Sequence, residues 1–104
     1  MNLPKVVAAL VAAQNSFDSV AYANCFTETA VVFDEGKTHQ GRQEIAAWIA
    51  KANKEYQATM HPLEYSKTEQ TLKTSVSGTF PGSPIIMTYH YEFDEELIQS
   101  LKIV

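Results

Sequence analysis

Leu3, Val7, Leu10, Val11 and Gln14 recur at the three- and four-residue steps of one helix face, with Pro4 where a first turn tolerates it. This pattern predicts a first helix, and it breaks across Asn15 to Phe17. Asp18 then offers an N-cap ahead of Val20, Ala21, Tyr22, Cys25 and Phe26, predicting a short second helix that ends near Glu28. Tyr22 and Phe26 would share a face of it. From Ala30 to Phe33 the chain turns β-branched and aromatic, and Glu35-Gly36 supplies a tight turn before Lys37 to Gln40. A hairpin follows from that. Gly41 releases the chain into Arg42 to Tyr56, where Ile45, Trp48, Ile49, Ala52 and Tyr56 form an apolar stripe of helical period, the third helix.

Beyond Tyr56 the pattern becomes that of strands. Thr59 to Thr68 and Thr71 to Phe80 are separated by polar Glu69-Gln70, and Pro81-Gly82-Ser83-Pro84 makes a turn. Ile85 to Phe93 and Leu97 to Val104 form a second hairpin across Asp94-Glu95-Glu96, so the chain closes with a four-strand meander. Helices first and antiparallel strands last argue for an α+β fold, three N-terminal helices packed on one face of a curved, mainly antiparallel sheet. Such a sheet makes a cone with an open mouth. No repeat or linker interrupts residues 1–104, which read as a single domain.

Charge narrows the partners. With 8 Lys and Arg against 12 Asp and Glu, a formal charge of −4 and no basic run, the chain lacks the positive face that nucleic acid or an anionic membrane requires. Val6 to Ala13 is too short to span a bilayer. The lone Cys25 cannot form an internal disulfide, and a reducing cytoplasm is the expected location. It reads as a small buried apolar residue. Three scattered histidines and no repeated carboxylate spacing predict neither a metal site nor a cofactor.

The run Phe17-Asp18, Cys25-Phe26, Ala30-Val31-Val32-Phe33-Asp34, Gly36, His39, Gly41-Arg42, Ile45 and Trp48 resembles the first half of the SnoaL-like branch of the nuclear-transport-factor-2-like superfamily. Ser77 to Pro84, the aromatic strand after it and the closing Leu101-Lys102-Ile103 resemble the second half. The resemblance implies a nuclear-transport-factor-2-like cone and a homodimer through the outer sheet face, with which Ile86, Ile98 and Val104 are compatible. It leaves activity open, because the superfamily contains isomerases, cyclases, dehydratases and non-catalytic modules.

By the same resemblance Asp34 stands where ketosteroid isomerases keep the aspartate that shuttles a proton beside a ketone. Leu10 falls where their oxyanion tyrosine would be and Tyr89 where their protonated acid would be. Tyr89 can donate a hydrogen bond and Leu10 cannot; a missing donor costs about 100- to 1,000-fold in rate, which argues against steroid isomerase activity proper. Asp34 has a plainer reading as a turn residue, or as a partner of Lys37 or Arg42. Arg42 itself reads as a turn cap or a carboxylate holder. If Glu35-Gly36 is a two-residue loop, Asp34 faces Lys37, Val32 faces His39, and Asp34 and His39 share a sheet face, so His39 is the second catalytic candidate. A bulged loop would move His39 to the other face, and a hydrogen-bonded anchor to the third helix is its plainer role.

The ligand site would be built from Tyr22 and Phe26, from Trp48 at the cone mouth, from Met87, Tyr89 and Tyr91 on one face of the fifth strand, and from Leu101. Ile86, Thr88, His90 and Glu92 take the opposite face, and neither His90 nor His61 is given a role. Two functions fit these residues. One is a small cofactor-free enzyme in which Asp34 acts as acid or base on an apolar carbonyl substrate. The other is a non-catalytic module of the same fold that binds a small apolar ligand or only dimerises.

Overall fold

The computed structural model describes residues 1–104, and three helices cover one face of a six-stranded sheet. Helix α1 (Lys5–Asn15) follows Pro4 and ends at Ser16, whose hydroxyl turns back to donate to the Ala12 carbonyl at 2.9 Å. Helix α2 (Ser19–Ala23) is capped by Asp18, whose carboxylate accepts from the Ala21 amide at 3.0 Å. It stops five residues short of Glu28. Strand β1 (Phe26–Asp34) begins where the sequence predicted helix, because Thr27, Thr29 and Val31 are β-branched and because the Cys25 carbonyl accepts from Ile98 of the last strand at 2.9 Å. Tyr22 and Phe26 therefore meet across two elements, with ring centroids 5.7 Å apart.

Strand β2 (Lys37–Gln40) returns through Glu35 at φ 52° and Gly36 at φ 74°, a two-residue turn with both central residues left-handed. Its register pairs Asp34 with Lys37 and Val32 with His39, as the two-residue loop requires. Helix α3 (Arg42–Tyr56) occupies the predicted range and ends at Gln57 in the left-handed conformation. Arg42 holds no carboxylate: its Nε and Nη2 donate to the Phe26 carbonyl at 3.1 and 2.6 Å and tie α3 to the start of β1.

Strands β3 (Thr59–Ser66), β4 (Thr71–Ser77), β5 (Ile85–Asp94) and β6 (Leu97–Ile103) form the meander. Strand β3 ends two residues before Thr68, where the Ser66 hydroxyl accepts the Glu69 amide at 3.2 Å and starts the turn. Strand β4 ends three residues before Phe80 because the chain leaves the sheet to dock on α3. The Thr79 amide donates to the Tyr56 carbonyl at 2.7 Å, and a Cβ on Gly78 would lie 2.6 Å from that same oxygen, so only glycine fits.

The order across the sheet is β2-β1-β6-β5-β4-β3, antiparallel throughout except for the parallel pair β1 and β6. That pair joins the early hairpin to the late meander. Between sheet and helices lies one core, with Val7, Leu10, Phe26, Val32, Ile45, Leu72, Ile98 and Leu101 all fully buried. Ile98 thus leaves the outer face to which strict alternation assigned it. Register shifts between Glu92 and Phe93, and between Phe26 and Val31, turn it inward beside Leu101. Ile86 and Val104 remain on the outside, each 59% exposed. No helix is long and apolar enough to cross a membrane.

Candidate functional site

The cone encloses a cavity of about 450 Å³, most of whose lining is hydrophobic. The sheet supplies its wall in rows. Asp34 on β1 pairs with Ile103 on β6, which pairs with Tyr89 on β5, and all three border the cavity. One step toward the closed end lies the row Val32, Leu101 and Tyr91, which the core covers. Helix α3 forms the opposite wall through Trp48, Ile49, Ala52, Asn53 and Tyr56, and Tyr22 of α2 fills the gap beside it.

Asp34 comes inward because strand alternation puts it on the same face as buried Ala30 and Val32. It is half-buried, and loss of water chiefly raises its carboxyl above the ordinary value of 3.8. The charge of Glu35 adds to the rise, while His39 and the Glu35 backbone amide offset part of it. Of the two cations the plain reading offered, Arg42 is engaged elsewhere, held by Phe26, and Lys37, the register partner of Asp34 across the hairpin, is not among the charges that move the carboxyl. Tyr22 and Tyr89 are both buried. Burial, above all, pushes their phenols well above the usual range, and the nearby Asp34 charge adds to it in both, so each stays a neutral donor. Leu10 is fully buried in the core and is not part of the wall. Tyr22, on the next helix, brings a phenol to the cavity instead.

His39 does not reach the cavity. Its ring stacks on Trp48 with centroids 4.9 Å apart and planes at 21°, and Trp48 meets Tyr22 edge-on at 6.2 Å. The hairpin is thus anchored to α3 by stacking, where a hydrogen bond was expected. Of the ligand residues predicted from sequence, Tyr22, Trp48, Met87 and Tyr89 border the cavity. Phe26, Tyr91 and Leu101 do not: they share the inward face but lie deeper, packed in the core. Face was legible from alternation, whereas depth depends on how far the helices cover each row. Cys25 is buried, its thiol pushed up to about 11 by desolvation.

Sequence reading missed Gln14, Asn53, Tyr56, Met60 and Phe80, all of which border the cavity. Gln14 and Asn53 carried a signal, each a polar amide among the apolar positions of its helix. Tyr56 and Phe80 come together only through the Gly78 excursion, with ring centroids 6.4 Å apart at the mouth.

Residues 3–80 match the model of the SnoaL-like domain. The chain belongs to this family. The SnoaL-like chain also superposes on the crystal structure of a candidate polyketide cyclase, SMa1630 from Sinorhizobium meliloti. The two are 35% identical at a TM-score of 0.91, covering 98% of this chain and 95% of that one. Two more distant structures share the fold. A protein from Catenulispora acidiphila with a ketosteroid isomerase-like fold, solved in complex with trimethylamine, is 21% identical over 99% of this chain and 86% of its own, with a TM-score of 0.79. SalBIII, an epoxide hydrolase/cyclase-like enzyme of pyran ring formation in the polyether salinomycin, is 20% identical over 95% and 86%, with a TM-score of 0.71. No curated protein matches the SnoaL-like chain significantly.

Proposed function

We propose that this SnoaL-like protein is a small enzyme that moves a proton on an apolar carbonyl substrate, with Asp34 as acid and base and no cofactor. The observation that carries the reading is a half-buried carboxyl with a raised pKa on the wall of an apolar cavity, facing buried phenols. Asp34 takes a proton from the carbon beside the substrate ketone, electrons move into the carbonyl, and Tyr22 and Tyr89 donate hydrogen bonds to the oxygen as it gains charge. The proton then returns from the Asp34 carboxyl to another carbon of the same substrate, an isomerisation, or the enolate carbon bonds to a second carbonyl carbon of the substrate, whose π electrons pass to its oxygen and take up the proton, a ring closure. His39 serves as a positioning residue, holding Trp48 against Tyr22 and moderating the Asp34 carboxyl by its charge.

The polyketide cyclase-like neighbours support the substrate class, an oxygenated apolar carbon skeleton. A non-catalytic binding module is the second reading, favoured by Leu10 standing in the core where a family tyrosine would donate. In either reading the partner of the outer sheet face is a second copy of the chain, seated over exposed Phe33, Ile86 and Val104, and the compartment is the cytoplasm, where free Cys25 stays reduced.

Exchange of the α-carbon protons of 2-decalone in D2O, followed by NMR, separates the two. The enzyme reading expects the protein to accelerate exchange and Asp34→Asn to remove about 100-fold or more of that acceleration. Exchange at the same rate with wild type, Asp34→Asn and buffer leaves the binding module.

A further inference from the structure

The far end of the cavity carries a second polar group that proton transfer does not use. Gln14, at the end of α1, and Asn53, on α3, are 5% and 9% exposed and both border the cavity. The Gln14 Nε2 donates to the Ala58 carbonyl at 2.7 Å and to Asn53 Oδ1 at 3.0 Å. A backbone carbonyl only accepts, so the Ala58 contact fixes which end of the Gln14 amide faces it, and that in turn fixes the Asn53 amide. Asn53 Nδ2 and Gln14 Oε1 are left without a partner in the chain. The one polar side-chain atom wholly shut away without a partner is the Tyr91 hydroxyl, so both free amide atoms keep contact with open space. Asn53 borders the cavity on one side and, on the other, a surface pocket it shares with Lys51 and Lys54; its bond to Gln14, which borders only the cavity, draws the amide toward the cavity.

A structural need does not explain the pair. Asn15, the next residue, already ties α1 to β3, its amide donating to the Met60 carbonyl at 3.0 Å and accepting the Met60 amide at 2.7 Å. Buried amides normally have their hydrogen bonds met, and a donor left open on a cavity wall is where a ligand oxygen is held. The charged residues of the wall, Asp34 and Glu35, lie beyond β6, β5 and β4 from β3, so this end is uncharged.

We propose that Gln14 and Asn53 form a second, neutral subsite of the cavity, in which Asn53 Nδ2 donates to a carbonyl or hydroxyl oxygen at the end of the ligand remote from Asp34. This deepens the proposed function and rests on its cavity: the substrate is an apolar skeleton with at least two oxygen functions, one handled by Asp34 and one gripped by Asn53. The subsite selects for the doubly oxygenated molecule because leaving a buried amide unpaired costs more than a weak apolar contact returns.

Trp48 is the sole tryptophan and borders the cavity, so its fluorescence reports occupancy. The probes are 2-decalone against decalin-2,6-dione, and the three-ring perhydroanthracen-2-one against its 2,6-dione. In wild type the second carbonyl of at least one pair tightens binding about tenfold, the size of one added hydrogen bond to a buried donor. Asp34→Asn keeps that gain, while Gln14→Leu/Asn53→Leu abolishes it. Asn53→Asp keeps the shape and the bond to Gln14 but loses the donor, and it too loses the gain; it decides the matter should the double variant not fold. A ratio between two probes within one variant is insensitive to a general weakening of the fold. If both monoketones bind and neither dione gains, or the gain survives in Asn53→Asp, the subsite is overturned and the cavity stands. If no ketone perturbs Trp48, cavity and subsite fall together.

Discussion

Tyr91 has a buried hydroxyl with no hydrogen-bond partner, and Tyr91→Phe tests what that costs. The residue is 3% exposed, and its ring stacks on Phe93 at 5.6 Å with planes at 11° and tilts against Tyr89 at 6.4 Å. The substitution removes one oxygen and leaves every ring contact in place. Burying a hydroxyl without a partner costs about 1–3 kcal/mol. Against that, the oxygen's own dispersion contacts are worth roughly 0.1–0.2 kcal/mol each, so a handful of them offset only part of the gain. The net expectation is a protein more stable by about 1 kcal/mol, with a melting midpoint some 4–8 °C higher for a domain of this size. Urea titration at pH 7 gives the free energy and calorimetry the midpoint. Because Tyr91 lies one row below the cavity wall, ketone binding read by Trp48 fluorescence stays unchanged. A loss of about 1 kcal/mol on Tyr91→Phe would refute the reasoning, since it would mean that the hydroxyl holds a bond to an internal water that the row geometry hides.

Other substitutions probe the remaining claims. Asp34 has a folded pKa raised above 3.8, so its ionised form is less favourable folded than unfolded, and stability falls as pH rises from 3.8 through the raised value. Asp34→Asn is therefore expected to melt higher than wild type at pH 7 and to lose that advantage below pH 3.8, while catalysed 2-decalone exchange in wild type grows over the same rise in pH. Equal pH dependence of the two melting curves would remove desolvation as the cause. Ile98→Ala, at a fully buried position, should cost about 2–5 kcal/mol in urea. Ile86→Lys, at a 59% exposed one, should leave monomer stability within about 0.5 kcal/mol and shift sedimentation from dimer to monomer; a wild type that sediments as a monomer at micromolar concentration ends the dimer proposal. Gly78→Ala forces a Cβ to 2.6 Å from the Tyr56 carbonyl, so residues 78–81 must lift from α3 and the Tyr56–Phe80 contact at the cavity mouth must open, seen as loss of amide protection at Thr79.

Elements with a strong local signal were legible in the amino-acid sequence. The stripe from Ile45 to Tyr56 and the Glu35-Gly36 turn each depend on neighbours a few residues apart, and both lie where the pattern put them. Phe26 went astray because its strand state depends on Ile98, seventy-two residues on. Ile98 went astray because a bulge shifts the alternation, and bulges leave no trace in a period-two reading. At the site, Asp34 was visible as a carboxylate closing an apolar strand. Gln14 was visible only as an oddity on an apolar stripe. Its pairing with Asn53 needs α1 and α3 to be set side by side, which no local pattern encodes.

The parallel pairing of β1 with β6 has a kinetic consequence. Asp34 is flanked by Ile103, so the wall that holds the carboxyl exists only once the last strand has arrived, and β6 sits third in a sheet of six. During synthesis the early hairpin and the β3–β5 segment wait as two sheet fragments with open edges, and joining them closes a loop of some sixty residues or more, a slow step set by chain entropy. Until then those edges are exposed to self-association, and a chain cut short before β6 keeps them open.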